Sequence, residues 1–269
     1  MITDDIIRIN DSEINLQDRL VQLVEIVKNN PQSIDARFAL CKMYMLQADW
    51  DRALQQLDIL FQIESEVQQQ YELYKNLIFS ERMRELVLAG KKTAGSLGKP
   101  HQQWINSLHQ ANALYQQGQY AEGESMRMQA LSDAEPRSGR SAVWGAFNWL
   151  ADGDDRLGPV CEFICAGGYH WVPFAEMQAL EISAPQKGSD LVWAPAEITF
   201  EEQTLRGYIP ARYPVVISDS LDMKIGTKTE WQKQGDGRYI GSGRKMWVSD
   251  NGEFSLFEIG RLGFEGESA

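Results

Sequence analysis

The stretch LCKMYMLQADWDRALQQL, residues 40–57, decides the fold of the N-terminal half of this sequence. Large, small and aromatic residues follow one another there at the spacing of a tetratricopeptide-like helix–turn–helix. In such a unit a small residue at the tight turn lets the second helix fold back, and an aromatic residue two positions later fills the crevice between the helices. The residues that carry the pattern are Leu40, Tyr44, Ala48, Trp50, Ala53 and Leu57.

A second stretch repeats this spacing further along the chain. Trp50 and Tyr120 are 70 residues apart, which is close to twice the period of about 34 residues of such repeats. We therefore expect a degenerate middle unit, for which residues 71–89 supply the helices. The alternative is a plain helical bundle in which the spacing matches by chance. The second match consists of Leu114, Gly118, Tyr120, Gly123 and Ala130.

The whole N-terminal half has a helical composition. Residues 16–134 are rich in Leu, Gln, Ala, Glu and Met, and their apolar residues recur at helical spacing. Asn29-Asn30-Pro31 stops a first helix, and Ser33 or Asp35 can cap the next one. These features predict a tetratricopeptide-like α–α superhelix over residues 1–135. The first helix carries the apolar stripe Leu16, Leu20, Leu23, Val24 and Val27.

If the repeats are real, the first helix of each unit lines a concave surface. The side chains expected there make an apolar groove with polar edges, which suits a partner's amphipathic helix or extended segment better than a small metabolite. The alternative is that Phe38, Met45 and Leu108 belong to an ordinary core. The predicted partner-binding residues are Asp35, Phe38, Lys42, Met45, Ile105, Leu108, Asn112 and Tyr115.

The composition changes after Asp133 to Gly, Pro, Trp and β-branched residues, with Pro136–Gly139 as a linker. Residues 160–174 predict a hairpin, because two β-rich runs flank Gly167-Gly168. Short strands with intervening helical turns indicate a small, β-rich α+β domain over residues 136–269, so the chain is predicted to be a multidomain α and β protein. Further strands are predicted at 191–193, 213–218, 239–241, 245–248 and 255–259.

Composition limits the cellular context and the partners. The net charge of the 269 residues is -12, and an acidic surface repels nucleic acid and anionic lipid. Residues 1–8 lack the basic start and apolar core of a signal peptide, and no stretch approaches the roughly 18 apolar residues of a membrane span. Three cysteines, Cys41, Cys161 and Cys165, fit reduced thiols better than a disulfide framework. We therefore expect a cytoplasmic protein.

An acidic run in the C-terminal half resembles a metal-binding or catalytic site. Asp152, Asp154 and Asp155 precede Arg156, an arrangement that suggests metal binding or acid–base chemistry. Acids from one loop rarely converge without ligands from elsewhere, and the run has no EF-hand pattern. A cap, a turn or an internal Asp–Arg pair is therefore the favoured interpretation.

A cysteine and histidine group invites a zinc interpretation. Cys161 and Cys165 would lie about 13 Å apart on one strand, too far to share an ion held about 2.3 Å from each sulfur. We expect buried thiols and a packed His170 instead.

The glycines of residues 235–245 lack a P-loop or dinucleotide pattern, and we interpret them as hairpin turns. Neither a metal nor a cofactor is expected, and the case for an enzyme is weak.

Many short motifs resemble one protein family in order along nearly the whole chain. The N-terminal ones are Asn30-Pro31, Asp35-Ala-Arg37, residues 49–54 (DWDRAL), 56–58 (QLD) and 97–100 (LGKP) with Trp104. The C-terminal ones are residues 147–152 (FNWLAD), 155–159 (DRLGP), 168–174 (GYHWVPF), 190–196 (DLVWAPA), 210–214 (PARYP) and 228–231 (KTEW). The chain resembles the ImpE or SciE family, also called TagJ, of accessory proteins of bacterial type VI secretion clusters. It departs from the family pattern at Asn148, where Asp is expected, and at Arg127, where a large apolar residue is usual.

The resemblance implies a helical repeat domain followed by an α+β domain, without known catalysis. It also implies a role in the cytoplasm around the contractile sheath, in association with the small sheath subunit and, through the sheath, with the ClpV-type AAA+ ATPase that takes contracted sheaths apart. The predicted groove adds the hypothesis that an apolar-faced helix of a sheath subunit docks in the concave surface, which makes the chain an adaptor. A small-ligand-binding or hydrolytic function around Asp152, Asp155 and Arg156, with His170, is the alternative. It requires these side chains to converge on a pocket with perturbed pKa values.

Aromatic and charged residues of the C-terminal half have two interpretations. They hold a small core together, with Arg212 pairing a buried carboxylate, or they form a second partner surface. Most of the tryptophans lie beyond residue 140, which favours a core for the majority. The residues concerned are Trp149, Asp152, Asp155, Arg156, Trp171, Trp193, Arg212 and Trp231.

Overall fold

The computed structural model describes residues 16–201 and 203–265. Residues 1–15, which begin the predicted helical domain and include the stretch compared with a signal peptide, lie outside the described residues. Six α-helices and one 3-10 turn, Ser65–Val67, fill the described part of the N-terminal half. None of the described helices is both long and apolar enough to cross a bilayer. The helices are α1 (Leu16–Asn29), α2 (Ile34–Leu46), α3 (Trp50–Ile63), α4 (Gln68–Leu88), α5 (Gln103–Gln116) and α6 (Tyr120–Asp133).

Both sequence matches form helical hairpins, α2–α3 and α5–α6, with small residues at the turns as predicted. Ala48 and Gly118 adopt φ of 57° and 78° in the left-handed region, which glycine enters at little cost and alanine at a cost of about 1–2 kcal/mol. Close approach of the helices explains the other small positions. Ala53 is fully buried, and a Cβ on Gly123 would lie 2.7 Å from the ring of Tyr115.

The predicted middle unit is wrong, because residues 68–88 form one continuous helix rather than a helical pair. This segment contains no Gly or Pro that would end a helix inside it. Gly90, at φ 72°, ends α4, and residues 91–102 lead to α5 without a further helix.

The C-terminal half is a sheet structure, so the coarse expectation of an α plus β protein is confirmed. Its fourteen strands are β1 (Gly139–Ser141), β2 (Gly145–Phe147), β3 (Leu150–Asp152), β4 (Val160–Cys165), β5 (Gly168–Pro173), β6 (Ala179–Ile182), β7 (Trp193–Thr199), β8 (Thr204–Pro210), β9 (Arg212–Tyr213), β10 (Thr229–Gln234), β11 (Arg238–Arg244), β12 (Met246–Ser249), β13 (Gly252–Ser255) and β14 (Arg261–Phe264). Two one-turn helices are α7 (Leu221–Lys224) and α8 (Leu256–Ile259).

The strands form one large sheet and two small ones, and all the paired strands are antiparallel. The order of the eight-stranded sheet is β2-β1-β14-β6-β7-β8-β4-β5, and the three-stranded sheets are β10-β11-β9 and β13-β12-β3. The predicted hairpin at 160–174 is confirmed as β4–β5, in which Cys165 pairs with Gly168. The edge of β5 is extended by an isolated parallel bridge between Gly95 and His170.

Three predicted strands need correction. Residues 188–191 form a 3-10 turn, and the strand begins only at Trp193. The strand predicted at 213–218 ends at Tyr213, because Pro214 follows and the carboxylate and N–H of Asp219 close a turn on Val216. Residues 256–259 form α8 rather than a strand, since Ser255 and Glu258 make a capping box.

A continuous hydrophobic core joins the two halves of the chain. One cluster contains side chains of every helix from α1 to α6 together with Trp171 and Trp193 from the large sheet. A second cluster lies on the other face of that sheet and contains Phe163 and Trp247. The change from helices to strands falls between Asp133 and Gly139, but the first core runs across it.

Candidate functional site

The concave face of the helices is closed by the chain's own C-terminal half. Of the eight residues predicted to line an open groove, Asp35 alone is exposed. The other seven are buried, with exposed fractions from 0% to 9%. The prediction of an open groove is therefore wrong for this conformation, because a partner helix cannot reach these side chains. The seven are Phe38, Lys42, Met45, Ile105, Leu108, Asn112 and Tyr115.

Aromatic contacts join the helices α3 and α5 to the sheet half. The rings of Trp50 on α3 and Trp193 on β7 lie 5.8 Å apart, and the ring of Trp171 on β5 stacks 4.2 Å from His109 on α5. The guanidinium of Arg238 on β11 lies 3.5 Å from the ring centre of Tyr115, a cation–π contact.

A buried ion cluster lies between α4 and the large sheet, and it consists of Glu81, Arg84, Asp152, Glu162 and Lys245. Arg84 donates two hydrogen bonds to Glu162, of 2.7 and 3.0 Å, and a third of 3.2 Å to Glu81. Lys245 Nζ lies 2.6 Å from both Asp152 and Glu162. All five residues are at most 4% exposed, so the cluster fixes the helical half on the sheet.

Hydroxyl and indole groups satisfy the remaining acceptors of this cluster. Tyr169 donates to Glu162 and accepts from Trp171 Nε1 at 2.7 Å. Glu81 accepts from Trp193 Nε1 at 3.0 Å, and Asp152 accepts from the hydroxyl of Tyr213 at 2.8 Å and from Trp247 Nε1 at 3.2 Å. A fully satisfied buried network rigidifies the structure that contains it.

The carboxylates of the cluster titrate differently because of their neighbours. Burial alone would raise the pKa of Glu162, but the charges of Arg84 and Lys245 outweigh burial and lower it. Burial raises the pKa of Asp152 despite the attraction of Lys245, and burial raises the pKa of Glu81 despite the attraction of Arg84 and Arg212. Glu162 is therefore the carboxylate most firmly held in its ionised form.

The carboxylates of the acidic run, residues 152–155, form hydrogen bonds and ion pairs with other groups of the same chain. Both oxygens of buried Asp154 accept from Arg156, with Nε at 2.8 Å, and the Gly241 N–H adds a bond of 2.8 Å. Asp155 accepts from the Tyr239 N–H at 2.6 Å and from Arg127 on α6 at 3.1 Å. The predicted internal Asp–Arg pair is confirmed, and Arg127, at a position where we expected a large apolar residue, joins α6 to the sheet half.

The residues of the hydrolytic alternative line neither of two cavities in the described part of the chain. An open depression of about 660 Å³ lies between α5 and α6, and a cavity of about 10 Å³ lies between α4 and β7. Neither is lined by Asp152, Asp155, Arg156 or His170. Among the described residues no group of three or more His, Cys, Asp or Glu side chains is arranged to hold a metal ion.

Arg212 differs from its predicted role, because it binds backbone carbonyls rather than a carboxylate. Its guanidinium donates to the carbonyl oxygens of Leu46 at 2.7 Å and Met45 at 3.1 Å, and also to that of Lys224. Arg212 therefore satisfies the C-terminal end of α2 from β9. Burial lowers the pKa of Arg212 to about 10, so the side chain remains charged at neutral pH.

The tryptophans divide into core and surface. Trp171 and Trp193 are buried at 0% and 1% exposure, whereas Trp149 and Trp231 are 40% and 39% exposed. Trp231 packs on Tyr213, with ring centres 5.4 Å apart. Trp149 and Trp231 are thus the tryptophans of the predicted second surface that a partner can reach.

Sequence reasoning missed two features of the outer helical surface. The depression between α5 and α6 is lined by Ser107, Ala121, Glu122, Ser125, Met126 and Gln129. The second feature is an exposed apolar stripe on α4, formed by Phe79, Met83 and Leu86. The spacing of four and three residues was the signal for this stripe, but which side of α4 faces solvent depends on contacts with the sheet.

Comparisons with known proteins agree with the fold and with the motifs. The family described as ImpE protein matches residues 145–263. The chain is 34% identical over 267 residues to the type VI secretion system accessory component TagJ of Pseudomonas aeruginosa strain PAO1, covering 98% of this chain and 92% of that protein. The crystal structure of protein VPA1032 from Vibrio parahaemolyticus shares the fold, with a TM-score of 0.85 over 94% of each chain at 23% identity. The predicted resemblance is confirmed, and the chain belongs to the ImpE family.

Proposed function

We propose that this chain is a non-catalytic accessory protein of a bacterial type VI secretion system, acting in the cytoplasm as an adaptor for the sheath. The relative from P. aeruginosa is an accessory component of that system. Within the proposal, the chain binds a helix of the small sheath subunit and so connects the sheath to the ClpV-type ATPase that takes it apart. The α2–α3 and α5–α6 hairpins then act as tetratricopeptide-like units.

The buried charged groups all have internal partners, and this supports a binding role rather than catalysis. Asp152, Asp154, Glu162 and Lys245 are between 0% and 4% exposed, and each makes short contacts with internal partners. A catalytic acid or base needs access to a substrate proton. These groups instead hold a rigid scaffold that can present its outer helices to a partner.

The depression between α5 and α6 is the observation that carries the proposed binding site. It replaces the concave groove, which the sheet half fills. Its volume of about 660 Å³ is open to solvent, and Ala121 and Ser125 lie one helical turn apart on α6, where small side chains let a partner backbone approach. Ser107 from α5 and Met126 from α6 complete the walls, and methionine adapts its shape to a bound helix.

Calorimetric titration of the full chain with the N-terminal helical peptide of the small sheath subunit tests this function. We expect micromolar or tighter binding, weakened at least tenfold by Ser125→Arg because the long side chain fills the depression. Gln55→Arg on the exposed side of α3 is the matched control and should bind like the unchanged chain. Absence of binding to both the peptide and the intact subunit would contradict the adaptor role.

A further inference from the structure

The outer side of α4 carries large apolar side chains that remain exposed. Phe79, Met83 and Leu86 follow one another at four and three residues, so they lie in one row along the helix. Their exposed fractions are 47%, 40% and 38%. A row of three such side chains on a structured helix marks a contact surface rather than scattered exposure. We call these three residues the α4 stripe.

The α4 stripe cannot turn inward. Glu81 follows Phe79 by two residues, and Arg84 precedes Leu86 by two. Two residues correspond to a rotation of about 200° around an α-helix, so Glu81 and Arg84 lie on the side of α4 opposite to the stripe. Glu81 and Arg84 both belong to the buried ion cluster and are 4% and 1% exposed. Since that cluster holds the opposite side of α4 on the sheet, the stripe stays on the outer surface.

The rest of the helical half shows what kind of element fits there. In the hairpins α2–α3 and α5–α6, the first helix is covered by an antiparallel second helix that follows within a few residues. After α4 the chain runs through residues 89–102 without forming a helix. The described chain therefore supplies no second helix for the α4 stripe, and an antiparallel helix is the element that would complete the pair.

We infer that α4 of a second copy of this chain is that helix, so that two molecules associate through their α4 stripes about a twofold axis. In an antiparallel pair centred between Phe79 and Leu86, Phe79 of one copy packs on Leu86 of the other, and the two Met83 side chains meet near the axis. An interface of this kind is self-complementary, because both copies contribute the same surface.

Charges at the two ends of α4 favour the second copy as the occupant. Exposed Glu72 lies seven residues before Phe79, and exposed Lys92 lies six residues after Leu86. Antiparallel packing therefore places Glu72 of each copy beside Lys91 and Lys92 of the other. Gly90 keeps the lysines close to the helix end, since the Lys91 N–H donates to the Leu86 carbonyl at 2.9 Å.

The size of the contact sets the expected affinity. A single pair of helices buries less surface than the roughly 1,600 Å² of a standard interface. We therefore expect a reversible dimer with a dissociation constant in the micromolar range. The inference does not depend on the proposed function, because it requires no sheath component.

Sedimentation of the full chain over a wide concentration range tests the dimer. The mass should rise from the 30.5 kDa of one chain to twice that value, and Met83→Asp should hold the chain monomeric at all concentrations. Val143→Asp, at a side chain 69% exposed in the sheet half, is the matched control and should leave dimerisation unchanged. Circular dichroism establishes that each variant is folded.

A charge exchange makes the test specific for antiparallel packing. Glu72→Lys alone and Lys91→Glu with Lys92→Glu should each weaken the dimer at least fivefold, and the three changes together should restore it. A chain that stays monomeric up to about 0.5 mM, a concentration well above a micromolar dissociation constant, overturns the inference. A dimer that is insensitive to Met83→Asp also overturns the inference. A third contradicting result is a monomeric chain in which Met83→Asp abolishes binding of the sheath peptide, because a foreign helix would then be the occupant of the α4 stripe.

Discussion

Arg84 on α4 and Glu162 on β4 form a two-pronged ion pair, with nitrogen–oxygen distances of 2.7 and 3.0 Å and both side chains 1% exposed. The pair joins positions 78 residues apart in the sequence. It lies at the centre of the contact between the helices and the sheet. The stability of that contact is therefore open to test by single substitutions.

Glu162→Gln should be strongly destabilising. The change keeps the shape of the side chain but leaves the cations Arg84 and Lys245 with one buried carboxylate fewer. We expect the free energy of unfolding in urea to fall by about 3–5 kcal/mol, the usual cost of breaking a buried pair. Glu197→Gln removes the exposed pair with Arg206 and should cost less than about 1 kcal/mol. Equal losses for the two variants would show that the buried pair is not essential to the contact.

Gly90→Ala should cost more than Gly118→Ala. Both glycines have positive φ, at 72° and 78°, so each substitution carries a conformational cost of about 1–2 kcal/mol. A Cβ at Gly90 would also lie 2.2 Å from the backbone oxygen of Asn112 on α5, whereas a Cβ at Gly118 has no described atom within 4 Å. Thermal unfolding of the two variants measures the difference. Similar melting temperatures would mean that α4 and α5 do not approach so closely at Gly90.

His109→Phe should remove part of the acid sensitivity of the fold. Burial, reinforced by His101, lowers the pKa of His109 to about 4, and neither ring nitrogen has a described hydrogen-bond partner. The unfolded chain binds the proton first, near its usual pKa of about 6.5, so the contribution of the neutral ring to stability is lost as the pH falls from there toward 4.

Phenylalanine keeps a ring against Trp171 but binds no proton. From pH 7 to pH 5 the unchanged chain should therefore lose on the order of 2 kcal/mol more stability than the variant. Urea unfolding at the two pH values gives both differences. Parallel pH curves for the two proteins would show that His109 binds its proton as readily in the folded chain as in the unfolded one.

A fragment of residues 1–135 should fail to fold cooperatively. Without the sheet half, the concave apolar side chains become exposed, and Glu81 and Arg84 lose Glu162 and Trp193. We expect the fragment to bind a hydrophobic dye and to lack a cooperative thermal transition. The full chain under the same conditions is the control. A fragment that melts in one sharp transition without binding dye would show that the helical half is an independent domain.

Local patterns in the sequence predicted the helical hairpins and the β4–β5 hairpin. Gly118 marks its turn because glycine, which has no Cβ, adopts positive φ at little cost. Ala48 marks the other turn by its small size, although alanine carries a conformational cost at φ 57°. Gly167, at φ 76°, marks the β4–β5 turn for the same reason as Gly118. The elements that were predicted wrongly depend on side-chain hydrogen bonds that the local pattern does not show. One example is the capping box of Ser255 and Glu258, which makes residues 256–259 helical although their composition predicts a strand.

The closed concave face could not be predicted from periodicity. Phe38 and Leu108 have the same spacing whether they face a partner or the chain's own sheet. What decides between these outcomes is contact between residues far apart in sequence, such as Trp50 with Trp193. The role of Arg212 was missed for the same reason, because its acceptors are carbonyl groups at the end of α2, which no sequence pattern displays.

Thiol labelling of the native full chain tests most directly that the sheet half closes the concave face of the helices. Met45→Cys places a thiol at a position that is 1% exposed, and Asp35→Cys places one at an exposed position of the same helix, with mass spectrometry locating the label. A closed face predicts that the thiol at position 45 reacts only as fast as the chain unfolds, far more slowly than the thiol at position 35. Comparable rates at the two positions, in a chain that remains folded, would contradict the closed face and restore the open groove.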